Sequence, residues 1–206
     1  MTALSLSRTD YDVLNAVVVK KMATADAVVA ASGVDAAQVS EILAALEGRG
    51  LLVVAGDSAL PTDEAEPVLM EVAATRYSGV REDADIARLV DRFETTNAQF
   101  LTTMSSWQQI DSGGRKVAND HSDPEYDGKV IDRLNKLVAR LTPLLDALAG
   151  HDARFGRYPE RFAIALAAVD AGDHDLVSSP VRDSVHNIWF EFHEDLLRTL
   201  GKVRTE

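Results

Sequence analysis

The side chains best suited to chemistry are the histidines and the carboxylates near them. His186 and His193 stand in the run Asp183-Ser-Val-His-Asn-Ile-Trp-Phe-Glu-Phe-His-Glu194. Two imidazoles and a carboxylate suffice as protein ligands for a metal ion. Seven residues along a helix is about 10 Å, however, too far for both rings to grip one ion. The His-Glu-x-x-His pattern is also absent, with Leu197 four residues after His193. Either His121 or Asp123 folds back to join one of these histidines, or they are hydrogen-bonded residues of an apolar core. The polar run Asn119 to Asp127 reads equally as a capped, solvated loop or as one wall of a site. With Trp107 and Trp189 beside them, His121, Asp123, His186 and His193 make the candidate lining of a small effector pocket. Covalent catalysis has no support: there is no cysteine and no Gly-x-Ser-x-Gly elbow. Ser122 and Ser184 stand at helix starts, where capping accounts for them. The chain is read as non-enzymatic, with no cofactor and no assigned metal.

A second set of residues suits nucleic acid. Gln38 and Ser40 carry donors and acceptors that match base edges, and Lys20, Lys21 and Arg49 are the nearby cations for phosphates. The charge balance works against them. The 206 residues carry a net charge of −12. Residues 1–62 hold four basic side chains (Arg8, Lys20, Lys21, Arg49) against seven acidic ones. No Lys or Arg occurs between Asp35 and Gly48, and the turn Gly56-Asp57-Ser58 is acidic.

The elements that would position these residues follow from periodicity. Tyr11, Leu14, Val17 and Val18 mark a helix over Thr9–Lys21. Thr24 caps a short one to Ala31, and Gly33 supplies the left-handed turn that ends it. Asp35 and Gln38 read as a capping box opening a third helix to Glu47. Leu51–Ala55 and Ser58–Leu60 flank Gly56-Asp57 as a hairpin. Helix, helix, glycine turn, helix, hairpin is the order of a winged helix-turn-helix. Beyond it, helices are expected over Glu66–Tyr77 and Asp83–Trp107. Gln109–Asp123 is a long polar interruption. A helix opens at Asp123-Pro124 and is kinked or broken at Pro143. Further helices run from Tyr158-Pro159 to Ala171 and from Val181, after Ser179-Pro180, to about Val203. The expected fold is mainly α: a winged helix-turn-helix over residues 1–65, then an all-helical bundle over 66–206 for dimerisation and effector binding.

The stretch from Ala27 to Leu52, with Leu46-Glu-Gly-Arg-Gly-Leu51 leading into the wing, resembles the MarR-type bacterial winged-helix repressors. Leu60-Pro-Thr-Asp-Glu-Ala65 is similar to the segment where their wing closes. The resemblance covers about 65 residues and implies a DNA-binding, homodimeric transcriptional regulator. Ala167–Asp173 followed by His186 is loosely similar to part of the metal-binding signature of GntR-type helical sensor domains, whose other parts are missing. Asn119–Asp127 together with Asp183–Leu197 resembles helical segments appended to phosphoenolpyruvate-utilising, dikinase-like proteins. That likeness implies an accessory partner, not a catalyst.

The leading expectation is an effector-responsive winged-helix regulator of double-stranded DNA. The alternatives are a protein-interaction adaptor built on an acidic winged helix and a metal- or small-ligand-binding helical sensor. No apolar run approaches the roughly 20 residues of a membrane span, and no secretory signal pattern is present. A cytoplasmic protein without a membrane partner is expected.

Overall fold

The computed structural model describes residues 5–202. Helix α1 (Arg8–Lys20) opens on a reciprocal capping box: Ser7 Oγ accepts from Asp10 N–H at 3.0 Å, and the Asp10 carboxylate accepts from Ser7 N–H at 3.2 Å. Strand β1 (Ala23–Thr24) leads into α2 (Ala25–Ser32), capped by Thr24. Gly33 ends α2 at φ 72°, the left-handed region that a side chain resists. Helix α3 (Ala36–Gly48) is capped by Asp35 through Ala37 N–H at 2.9 Å. The expected reciprocal bond from Gln38 is not part of that cap, and Gln38 lies exposed. Strands β2 (Leu52–Ala55) and β3 (Ser58–Pro61) form the wing, pairing Leu52 with Pro61 and Ala55 with Ser58. The sheet has three strands in the order β1-β3-β2, so the expected hairpin gains an edge. β1 is two residues long, below what alternation in a sequence can reveal.

The remainder is helical, with one exception. Helices α4 (Ala65–Arg76) and α5 (Ser78–Glu82) lead to α6 (Ala84–Gln108), the longest, capped by Asp83. The polar interruption contains a second hairpin, β4 (Gln109–Ser112) with β5 (Arg115–Ala118), closed by Gly113 and Gly114 at φ 62° and 83°. Two successive positive φ values are what a type I′ turn demands. Both strands are exposed except for half-buried Ile110, so no alternating apolar signal announces them. Helix α7 (Pro124–Ala139) opens on Asp123-Pro124, and the chain breaks before α8 (Thr142–His151), where Pro143 sits in the first turn. A 3-10 turn (Ala153–Gly156) precedes α9 (Arg157–Asp170), and a short α10 (Asp175–Ser178) follows. Helix α11 (Val185–Leu200) starts later than Ser179-Pro180 suggests. Ser184 is its N-cap, accepting from Asn187 N–H at 3.2 Å, while Asn187 Nδ2 donates to the carbonyls of Ser179 and Arg182 and ties residues 179–183 into a loop. The expected end near Val203 lies outside the described residues.

Helix α11 is the spine, buried on nearly every side. It runs against α6 in the opposite sense. His193 and Trp189 meet Phe93, Trp189 stacks on Phe100 at 4.0 Å between centroids, and His186 reaches Phe100. Helix α1 packs on α2, α3 and β3 with one side and on α4 and α11 with another. One continuous apolar core therefore runs from the winged helix into the bundle. No single helix among the described residues is long and apolar enough to cross a membrane.

Candidate nucleic-acid interface

The surface of α3 divides cleanly. Val39, Ile42, Leu43 and Leu46 are buried under α1 and the sheet. Ala36, Ala37, Gln38, Ser40, Glu41, Ala44, Ala45 and Glu47 are exposed, and the wing residues Val53 to Asp57 are exposed beside them. This is how a helix-turn-helix presents its reading helix to a groove. Ser40 Oγ donates back to the Ala36 carbonyl at 3.1 Å, leaving its oxygen as an acceptor. Glu47 is held to the wing, accepting from Val54 N–H at 2.9 Å.

The cations expected to grip phosphate have three different fates. The Lys20 ammonium is not at the surface. It lies 2.7 Å from Asp183 and 2.9 Å from Glu191, with its side chain 7 % exposed. Its expected role as a phosphate contact is therefore corrected, because two carboxylates already hold the charge. Lys21 is exposed, with its ammonium 5.4 Å from the centre of the Phe190 ring. Arg49 is half-buried and donates from Nη2 to the Ser5 carbonyl at 3.1 Å.

Beneath the module lies a layer of buried charge that no motif advertised. Asp12, Asn15 and Lys20 leave α1 at intervals of three and five residues and each meets the bundle. Asp12 accepts from Arg76 at 2.9 Å, and Asn15 donates to Asp195 at 3.1 Å. Arg161 joins Lys20 between the same two carboxylates, at 3.0 Å from Asp183 and 2.6 Å from Glu191. Asp195 is fully buried and is paired with Arg154, with Tyr158 OH donating at 2.9 Å. Arg198 bridges Asn15 and Glu66. Burial alone pushes the Asp195 and Asp183 carboxyls up. Arg154 at the first, and Arg161 with Lys20 at the second, outweigh it, and both end below the usual carboxylate range. At Asp12 burial wins, and its carboxyl is raised. Glu191, Asp195 and Arg198 lie at i, i+4 and i+7 on α11, the sequence signal for a charged stripe beside the apolar one. They look like an ordinary solvated face until the packing of α1 covers them.

The expected effector-pocket residues fall into two groups along α6. At its C-terminal end Trp107 is buried with the His121 ring 4.3 Å away, and His121 Nδ1 lies 2.9 Å from Asp127. Asp123 serves as the N-cap of α7, accepting from the amides of Glu125 and Tyr126. Further back, Trp189 stacks on Phe100 and its Nε1–H donates to Asn97 at 3.0 Å. His193 is buried against Phe93 at 5.3 Å, and half-buried His186 lies 6.0 Å from Phe100. Burial pushes the His186 imidazole below its ordinary value. The rings of each group pack on neighbouring rings, while Asp123 lines a cavity of about 460 Å³ with Asn119 and Tyr126. Among the described residues no group of three or more His, Asp or Glu side chains is arranged to hold a metal.

The fold defines the N-terminal module as a winged helix, carried on a helical bundle. Residues 1–72 match the family model described as the sugar-specific transcriptional regulator TrmB. That match runs from α1 into α4 and leaves the rest of the bundle outside it. No curated protein and no solved structure matches the chain.

Proposed function

We propose that the protein is a homodimeric regulator that reads double-stranded DNA with α3, Gln38 and Ser40 facing base edges and Lys21 and Arg49 facing phosphates. The observation that carries this reading is the outer face of α3, exposed from Ala36 to Ala45 beside an exposed wing. A dimer supplies two such faces, as half-sites one helical turn apart require. Its grip is electrostatically poor. Two cations per subunit neutralise about four phosphates per dimer, which sets a slope of about −3.6 in log K against log salt. Specificity then rests on amide and hydroxyl contacts and on backbone amides more than on charge. The bundle, in this reading, holds the dimer together and answers an effector; the description of the matched family makes a sugar the first effector to try. Fluorescence anisotropy with genomic fragments at low salt tests the proposal. Absence of sequence-selective binding, or selectivity that survives Gln38→Ala with Ser40→Ala, overturns it.

One observation favours a second reading. The outer face of α3 bears four alanines and Glu41 and no cation, which suits a protein partner as well as a groove. An adaptor accessory to a phosphoenolpyruvate-utilising enzyme is a particular form of it and rests on resemblance alone. A co-purifying partner lost on Ala44→Arg, in protein that binds no DNA, decides for the adaptor.

A further inference from the structure

A groove of about 470 Å³ runs between α6 and α7. Its walls are Gln99, Thr102 and Thr103 from α6 and Arg133, Lys136 and Arg140 from α7, and no carboxylate lines it. The three cations are spaced i, i+3 and i+7, which places them on one edge of α7. Like charges one turn apart repel, and the chain as a whole is strongly acidic. Several other surface cations of this protein are neutralised locally. Lys129 reaches Glu125 at 2.7 Å, Arg157 reaches Glu160 at 3.1 Å, and Arg182 reaches Asp173 at 2.8 Å. Among the described residues no carboxylate lies within 4.0 Å of Arg133, Lys136 or Arg140. The Arg140 guanidinium donates to Gln99 Oε1 at 2.6 Å.

The groove also has a built floor. Thr103 and Leu137 are 1 % and 2 % exposed, while the three cations stand at the rim. Guanidinium groups present planar forks to phosphate oxygens, and an ammonium adds a compact point charge. Opposite them, Gln99 Oε1 is occupied by Arg140, which leaves its amide hydrogens as donors. Thr102 donates to the Ala98 carbonyl at 3.0 Å, which leaves its oxygen as an acceptor. A donor and an acceptor side by side match a ligand hydroxyl. At about 30 Å³ per water, the groove holds roughly fifteen waters, the size of a small metabolite.

We propose that this groove binds a small phosphate monoester on a hydroxylated carbon chain. Arg133, Lys136 and Arg140 take the phosphate, and Gln99 and Thr102 take a hydroxyl. The assignment stands apart from DNA reading, because it is measured on the full chain with no nucleic acid present.

Isothermal titration with glycerol 3-phosphate, glycerol and inorganic phosphate tests it, with a random-sequence DNA duplex as a separate arm. The ester is expected to bind one per chain, more tightly than inorganic phosphate, while glycerol gives no heat. Arg133→Ala and Arg140→Ala are each expected to weaken it about tenfold, the scale of a lost charge-assisted hydrogen bond. Arg157→Ala, at a cation already paired elsewhere, is expected to leave it unchanged. All three cations of the groove are exposed, and circular dichroism of each variant checks the fold. No binding of the ester at millimolar concentration overturns the proposal, as does affinity unmoved by the two arginine variants. Inorganic phosphate binding as tightly as the ester overturns the ester assignment. A duplex that depends on these arginines while the ester does not bind overturns it in favour of a nucleic-acid backbone. Failure of α3 to bind an operator leaves every one of these outcomes readable.

Discussion

Lys20 and Lys21 are adjacent in the chain, one buried between carboxylates and one exposed, so exchanging each in turn tests stability and the proposed DNA contact separately. Lys20→Met keeps the length of the stem and removes the charge between Asp183 and Glu191. Only Arg161 then remains to face two carboxylates. Removing one partner of a buried pair costs about 3–5 kcal/mol, because the other is left buried and uncompensated. Lys20 and Glu191 are 7 % and 6 % exposed, but Asp183 is 40 % exposed, and water there relieves part of the loss. The low end, about 3 kcal/mol, is expected, a large share of a total stability of about 5–15 kcal/mol. With an m value of about 3 kcal/mol per M, the urea midpoint falls by about 1 M. Lys21→Ala removes only an exposed ammonium above Phe190, worth about 0.5–1 kcal/mol. DNA binding is expected to respond the other way round. In the proposed dimer, Lys21→Ala is expected to remove two phosphate contacts and lower the salt slope from about −3.6 to about −1.8, while Lys20→Met is expected to leave it unchanged. Urea unfolding and anisotropy across a salt series measure both. A Lys20→Met protein with the parental urea midpoint and a reduced salt slope would refute the reasoning.

Asp195→Asn, nearly isosteric, is expected to cost about 3 kcal/mol because the buried Arg154 charge loses its nearest carboxylate and keeps only Asp152 and Asp12, at 3.9 and 4.0 Å. Asp195→Leu combined with Arg154→Met should recover much of that loss in thermal unfolding, and a double variant weaker than either single one contradicts the account. Burial holds the folded pKa of His186 below its ordinary 6.5, so the unfolded chain takes up the proton first. Its contribution to stability is complete above about pH 6.5 and shrinks as the pH falls below that value. His186→Gln should flatten this part of the pH–stability profile, read as urea midpoints between pH 5 and pH 8. Gly33→Ala is expected to cost about 1–2 kcal/mol for a side chain in the left-handed region. The added Cβ would also lie 2.8 Å from Arg157 Nε, and a melting temperature equal to the parent's speaks against both arguments.

Local signals were enough for the winged helix. The Thr24 and Asp35 caps, Gly33 and the helical apolar spacing are encoded within a few residues of where they act, and they place α1, α2 and α3 within a residue or two. Asp123-Pro124 and Pro143 marked the edges of α7 and α8 for the same reason. The second hairpin was hidden because its strands face water on both sides; only Gly113-Gly114 announced its turn. Lys20 was misjudged because its partners lie 163 and 171 residues away, a pairing that only tertiary packing creates. The aromatic and histidine residues of α11 share a side of that helix, as their spacing implies, but spacing alone could not tell stacked rings from the lining of a pocket. The groove cations escaped notice because a charged helix edge reads as solvated until the opposite wall is known to hold no acid.

Helix α1 belongs to two bodies at once, and this limits how a signal can travel. Winged-helix regulators with a flexible linker can swing the reading module against the sensor. Here Asp12, Asn15 and Lys20 bond α1 to α4, α11 and the loop before α11, so no free linker separates the two. An event in the bundle, such as an anion settling between α6 and α7, reaches α3 only as a displacement of the whole subunit. In the proposed dimer, the distance and angle between the two subunits are then what such an event would change.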